Sequence, residues 1–240
     1  MKKIYISVLS LILFASLSNA QKGVKGMTKL EDVDQFESID KYICYSNQQF
    51  SFQNIVYKQI WGYDISHKFG RQYAARTGMK SNSMYIPCIN DNPTKFPFYT
   101  LENQTKNLIN FAASYYDNRD YGDFFWIVVE ANNIKDCQWT NDYQKNCEIL
   151  TDLVHTASKA SIGLSVGIYS SQEDWIKLFG DSQQCTSNKS YATRVHYKSY
   201  NSQPNFDDWA EKSFGGWAKP HMKTYQNTYV CGSSIDLSVY

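Results

Sequence analysis

Among the carboxylates of this 240-residue chain, Glu130 has the most suggestive setting. It closes the run Phe124-Phe125-Trp126-Ile127-Val128-Val129-Glu130, six apolar residues followed by an acid. A β-branched and aromatic run of that length reads as a strand buried on both faces, as the parallel strands of an α/β barrel are. The C-terminal ends of such strands form a barrel's active face, so Glu130 stands where a catalytic acid would stand, with an apolar wall behind it. The plainer reading is a strand that ends where it meets water. Metal chemistry has little support: there is no C-x-x-C pair, and His67, His155, His196 and His221 are scattered without ligand spacing.

The N-terminus reads as an export signal. Lys2 and Lys3 form a basic start, Ile4 to Leu17 an apolar stretch, and Ser18-Asn19-Ala20 a small-residue cleavage site before Gln21. That stretch is short for a membrane span, and no later segment approaches one, so membrane insertion is not expected. The formal charge of +1 includes Lys2 and Lys3, so the processed chain carries about −1, which argues against nucleic acid or an anionic membrane as partner. Six cysteines, Cys44, Cys88, Cys137, Cys147, Cys185 and Cys231, suit an oxidising compartment and read as three disulfides, with fifteen pairings open. Two sequons, at Asn103 and Asn188, would mark surface loops if glycosylated. The 19 tyrosines and 6 tryptophans suit either a core or a sugar-stacking surface.

The elements that must position Glu130 alternate in type. Strand candidates are Asp32-Val33, Phe52 to Ile60, Ser83 to Ile86, Phe124 to Val129 and Leu164 to Tyr169. Helical candidates between them are Ser38 to Gln49, Arg71 to Thr77, Thr105 to Tyr115 and Asn146 to Ala160. Such alternation predicts βαβ units and a parallel sheet. Thr193 to Tyr197, His221 to Tyr225 and Ile235 to Val239 then read as strands joined by loops rather than helices. Residues 1–20 are assigned to the signal, 21–29 to a flexible Gly- and Lys-rich leader, and 30–240 to one domain large enough for a single core.

Several blocks in order resemble the lysozymes of glycoside hydrolase family 25, the Chalaropsis-type muramidases, above all their nematode and protist branch. The blocks are Asp32-Val33-Asp34-Gln35, Met84-Tyr85-Ile86-Pro87-Cys88, Gly167-Ile168-Tyr169-Ser170-Ser171, Val195-His196-Tyr197, Phe214-Gly215-Gly216-Trp217-Ala218-Lys219-Pro220, Lys223-Thr224-Tyr225-Gln226 and Cys231-Gly232-Ser233-Ser234-Ile235-Asp236-Leu237. The resemblance implies an α/β fold, an irregular TIM-like barrel of five βα units closed by three β-strands. It also implies hydrolysis of the β-1,4 bond between N-acetylmuramic acid and N-acetylglucosamine in bacterial peptidoglycan, without a cofactor, by a protein that is secreted or delivered to a lysosomal or phagosomal lumen.

Carried over residue by residue, the family's Asp-x-Glu motif falls on Val128-Val129-Glu130. The acid is kept and its partner is valine. Glycoside hydrolysis usually takes two carboxylates, one to protonate the leaving oxygen and one to stabilise or attack the oxocarbenium centre. Asp32 and Asp236 match other acidic positions of the family and are expected at one rim of the pocket, as supporting carboxylates. Tyr85, Tyr197 and Tyr225 are expected to bind substrate, Tyr169 to fill the barrel, and Trp217 to pin a loop. A stacking Trp of the sixth strand is replaced by Thr193. The resemblance favours the pairings Cys44–Cys88, Cys137–Cys147 and Cys185–Cys231. It leaves two readings: an active muramidase, or a glycan-binding member whose catalysis is impaired by Val128.

Overall fold

A computed structural model describes residues 25–29, 39–48, 50, 52–58, 72–89, 100–114, 121–131, 137–160 and 164–240. In chain order these form β1 (Lys25–Lys29), α1 (Ile39–Asn47), β2 (Phe52–Lys58), α2 (72–76), β3 (Lys80–Ile86), α3 (Leu101–Ser114), β4 (Tyr121–Val128), α4 (Tyr143–Ala160), β5 (Ser165–Ser170), α5 (Gln172–Phe179), β6 (Arg194–Lys198), α6 (Trp209–Lys212), β7 (Met222–Val230) and β8 (Ser233–Val239). The strands close into a barrel in sequential order. Strands β1 to β7 are parallel, and β8 runs antiparallel to β7 and β1. Five βα units closed by three strands is the expected architecture. Among the described residues no helix is long and apolar enough to cross a membrane.

Three elements depart from the sequence reading, one of them the short α6, a helix in the connection between β6 and β7 that reads as a loop. The leader assigned to residues 21–29 contains β1, which pairs with Phe52 to Ile55 on one side and with Leu237 and its neighbours on the other. A closed barrel needs backbone partners for both β2 and β8, and that demand recruits Lys-Gly-Met-Thr-Lys, whose composition carries no strand signal. Asp32 and Val33, expected in the first strand, lie outside the described residues. The third departure is α5, read as unassigned chain. Its start is capped by Ser171, whose Oγ accepts from the Asp174 N–H at 3.0 Å, and Gly180, at φ 87°, ends it. Helix α4 also begins a turn earlier than expected, because the Asp142 carboxylate caps the Lys145 N–H at 2.9 Å.

The core has two layers separated by the barrel wall. Phe125, Ile127 and Val129 of β4 pack outward with Ile109 of α3, Leu150, Leu153 and Val154 of α4, and Trp175 of α5. Trp126 and Val128 point inward, with Phe52, Met84, Ile86, Tyr169 and Met222 filling the lumen. Both faces of β4 are thus buried. Gly167 on β5 lets the Trp126 ring cross the lumen, since a Cβ there would overlap that ring. Above it His196 is fully buried, its Nε2 2.8 Å from Thr224 Oγ1, with the Trp126 and Tyr169 rings edge-on at 5.3 and 4.7 Å. Burial holds the His196 pKa well below its usual value. Trp217 pins its loop as expected, donating to the Ala192 carbonyl at 3.0 Å and packing on Trp175.

The disulfides are Cys44–Cys231, Cys88–Cys137 and Cys147–Cys185, so none of the three pairings implied by the resemblance forms. The reason is adjacency around the ring. Cys88 and Cys137 follow the neighbouring strands β3 and β4, Cys147 on α4 faces the α5–β6 connection, and Cys231 in the β7–β8 turn reaches α1 across the closing seam. The sequon at Asn188 does not mark a surface loop either. Asn188 is fully buried, and its amide donates to the Cys185 carbonyl at 3.0 Å. Asn103, in the first turn of α3, is exposed.

Three outcomes are expected. Replacing Cys44 and Cys231 together by serine opens a loop of 187 residues and lowers unfolding free energy by about 5 kcal/mol, read from denaturant midpoints. Gly167→Ala costs about 1–3 kcal/mol through its overlap with Trp126, and Trp126→Leu beside it recovers part of that loss. His196 stays neutral when folded but takes a proton when unfolded. Stability is therefore full above about pH 6.5 and falls as the pH drops below it, by up to about 1.4 kcal/mol per pH unit, and His196→Gln flattens that slope.

Candidate active site

Alternation along β4 sets the direction of Glu130. Trp126 and Val128 enter the lumen, so the next residue of that parity stands at the barrel mouth, on the C-terminal side of the parallel strands. The residues flanking Glu130 are clamped by the β5–α5 junction. Val129 N–H donates to the Tyr169 carbonyl at 2.8 Å, Ser170 Oγ donates to the Val129 carbonyl at 2.6 Å, and Ala131 N–H donates to Asp174 Oδ1 at 3.1 Å. Ser171 Oγ donates to Asp174 Oδ2 at 2.7 Å, so the same carboxylate closes the α5 cap and grips the chain after Glu130.

Besides the apolar lumen residues behind it, a lysine faces this acid. Lys198, the last residue of β6, places its Nζ 2.5 Å from Glu130 Oε1 and 3.6 Å from Asp174 Oδ2, and 6.0 Å from the Tyr169 ring centroid beneath. The Glu130 side chain retains 17% of its exposure and that of Lys198 21%, so the pair is largely but not wholly desolvated. Burial works against the Lys198 ammonium, but Glu130, then Asp174 and Asp236, outweigh it, and the lysine pKa is raised. Below it the Tyr169 hydroxyl is pushed well above its usual pKa, mainly by burial and then by the Glu130 and Asp236 charges. Tyr169 fills the barrel, as expected.

Asp236 belongs to the same neighbourhood. It is 4% exposed on β8, and both its oxygens are engaged, Oδ2 by the Tyr200 hydroxyl at 2.8 Å and Oδ1 by the Asn227 amide at 2.8 Å. It reaches the mouth as a buried charge and as the anchor of Tyr200, a ring that is 55% exposed. Val128, at 1% exposure, is sealed among lumen side chains, so no carboxylate stands beside Glu130 on its own strand. Asp32 lies outside the described residues.

The three tyrosines expected to bind substrate are placed otherwise. Tyr85 is fully buried in the outer layer, its hydroxyl donating to Gln104 Oε1 of α3 at 3.4 Å, and burial raises its pKa. Tyr197 is also fully buried and faces outward, donating to Asp208 Oδ1 at 2.7 Å and packing edge-on against Trp209. Asp208 gathers Ser199, Asn201 and the buried Lys223 as well, which makes Tyr197 part of the scaffold of the β6–β7 connection. Tyr225 is 5% exposed and presents no ring face to solvent. Strand parity explains the first two: odd positions of β3 and β6 face the helices. Thr193, the expected replacement for a stacking Trp, precedes β6 and lies at the end of that strand opposite Lys198.

Lys198, Asp174 and Tyr200 were not singled out from sequence. Ser171-x-x-Asp174 is legible as a capping box, and Lys198 shares the parity of His196, but their convergence on Glu130 needs the closed barrel. Among the described residues no group of three His, Cys, Asp or Glu side chains is placed to hold a metal ion.

Comparison with known proteins bears on the fold and the family. The family model "Lysozyme-like protein 1" matches residues 25–225. A probable GH family 25 lysozyme of Dictyostelium discoideum is 28% identical over 209 residues, covering 85% of this chain and 87% of that relative. Among solved structures, the modular autolysin LytC of Streptococcus pneumoniae superposes with a TM-score of 0.61 at 15% identity, over 91% of this chain and 46% of LytC. GHIP, a glycosyl hydrolase 25 of the same bacterium, gives 0.55 at 14% identity, over 96% and 92%. At such identities the superpositions speak for the fold, and the family rests on the sequence match. The chain belongs to the lysozyme-like proteins of glycoside hydrolase family 25.

Proposed function

We propose that this protein is a secreted muramidase that cleaves the β-1,4 bond between N-acetylmuramic acid and N-acetylglucosamine of bacterial peptidoglycan, with Glu130 as general acid, in bacterial digestion or defence. The observation that carries the reading is the clamped, partly desolvated Glu130 at the C-terminal mouth of a family 25 barrel. In the reaction Glu130 gives its proton to the leaving glycosidic oxygen as the bond to the anomeric carbon breaks. Lys198 engages Oε1, so the transferable proton belongs on Oε2. With Val128 in place of a carboxylate, the nucleophile is the acetamido oxygen of the substrate itself. Water then opens the resulting cyclic intermediate and returns a proton to Glu130. Asp236 acts at longer range, as a fixed negative charge that favours the developing cation, and Asp32 is proposed for the same rim.

Val128 also supports a second reading, a glycan-binding member with impaired catalysis. Its packing leaves the lumen side of Glu130 apolar, and one missing carboxylate costs several kcal/mol of transition-state stabilisation, on the order of 10²–10³ in rate.

Muropeptide release from purified peptidoglycan separates the two. The muramidase reading expects release by wild type and a fall of about 10²-fold or more in Glu130→Gln, with folding unchanged by circular dichroism. No release by wild type together with a large gain in Val128→Asp overturns it in favour of the impaired binder.

A further inference from the structure

We propose that Asp174 is a positioning residue for Glu130, holding the acid in place through the Ala131 N–H and sharing the Lys198 ammonium with it. The proposal rests on the reading of Glu130 as the acid, but its geometry is independent of turnover. Asp174 belongs to a different element from Glu130, 44 positions along the chain, yet it contacts both the residue after the acid and the acid's cation. At the start of α5 only Oδ2 is engaged, accepting from the Ser171 hydroxyl that caps the helix. Oδ1 is spent on β4, where it fixes the peptide that follows Glu130. Ser170 holds the peptide before it, so the β5–α5 junction grips Glu130 from both sides.

The charge of Asp174 has a second effect. Lys198 lies between two carboxylates at unequal distances, 2.5 Å from Glu130 and 3.6 Å from Asp174. The second carboxylate gives the ammonium a partner on α5 as well as on β4, and sets its negative charge within one lysine of Glu130. The other ionisable groups acting on this set are Asp236 from β8 and, around Tyr169, the hydroxyl of Tyr200.

The test uses Asp174→Asn, which keeps an acceptor for Ala131 and a polar partner for Ser171 while removing the charge. In protein labelled with ¹³C at glutamate carboxyls, the Glu130 signal is the one missing from Glu130→Gln. Removing the Asp174 charge and removing the Lys198 charge are expected to move the titration of that signal in opposite directions, down in Asp174→Asn and up in Lys198→Met. The basic limb of kcat on peptidoglycan should shift in the same directions, with KM little changed, and Asp174→Glu should restore part of the wild-type profile. An unchanged Glu130 midpoint in a folded Asp174→Asn protein overturns the proposal. If wild type releases no muropeptides, the muramidase reading fails, while the carboxyl titration still decides the role of Asp174.

Discussion

Side chains of β4 alternate between the helix layer and the barrel lumen, and most assignments at the mouth follow from that alternation. Phe125, Ile127 and Val129 bind the strand to α3, α4 and α5, which leaves Trp126, Val128 and Glu130 on the lumen side. A one-residue slip would bury Glu130 under α4 and turn the lumen residues into the wall. Such a slip is opposed from both sides. The outer face meets a tightly packed helical layer, and the inner face sets Trp126 over the one position on β5, Gly167, that has no side chain.

The mouth is organised around one ammonium. Lys198 carries a substantial desolvation cost and keeps its proton because Glu130, Asp174 and Asp236 surround it. The arrangement is net acidic, which suits a site that must stabilise positive charge developing on a sugar ring. It also differs from the two-carboxylate pattern implied by the family motif. The carboxylate that shares Lys198 with Glu130 comes from the start of α5, and position 128 on β4 is given over to lumen packing. Asp236 sits at the same mouth with both oxygens already satisfied, so its influence is that of a fixed charge and of an anchor for the exposed Tyr200.

Closure of the barrel supports this geometry at a distance. Strand β8 is the one antiparallel member of the ring, and it places Asp236 between Asn227 of β7 and Thr28 of β1. Cys44–Cys231 ties the same seam to α1, and Lys41 Nζ donates to Ser233 Oγ there at 2.8 Å. On the neighbouring side, Asp208 binds Tyr197, Ser199, Asn201 and Lys223; burial would raise its pKa, but the bonds from Lys223, Ser199 and Tyr197 and the lysine charge outweigh it and lower it. That network holds the β6–β7 connection, and with it the end of β6 from which Lys198 projects.

Sequence alone determined the α/β alternation, seven of the eight strands, the burial of β4 on both faces and the prominence of Glu130. Each of these is local: a run of apolar residues, a period of two or of 3.6, or a motif of adjacent positions. The first strand escaped because Lys-Gly-Met-Thr-Lys has no strand composition and is held by partners at β2 and β8. Helix α5 is partly legible in Ser171-x-x-Asp174 and Gly180, although its eight residues are too short for a strong periodic signal. The tyrosines at family positions were legible as residues but not as directions, because a strand sends neighbouring side chains to opposite faces and the face is known only from what packs against it. Disulfide partners, the burial of Asn188, and the meeting of Glu130, Lys198 and Asp174 were decided by tertiary structure alone. The disulfides and the Glu130 cluster join positions tens to nearly two hundred residues apart, and such proximity is set by the order in which the strands close the ring.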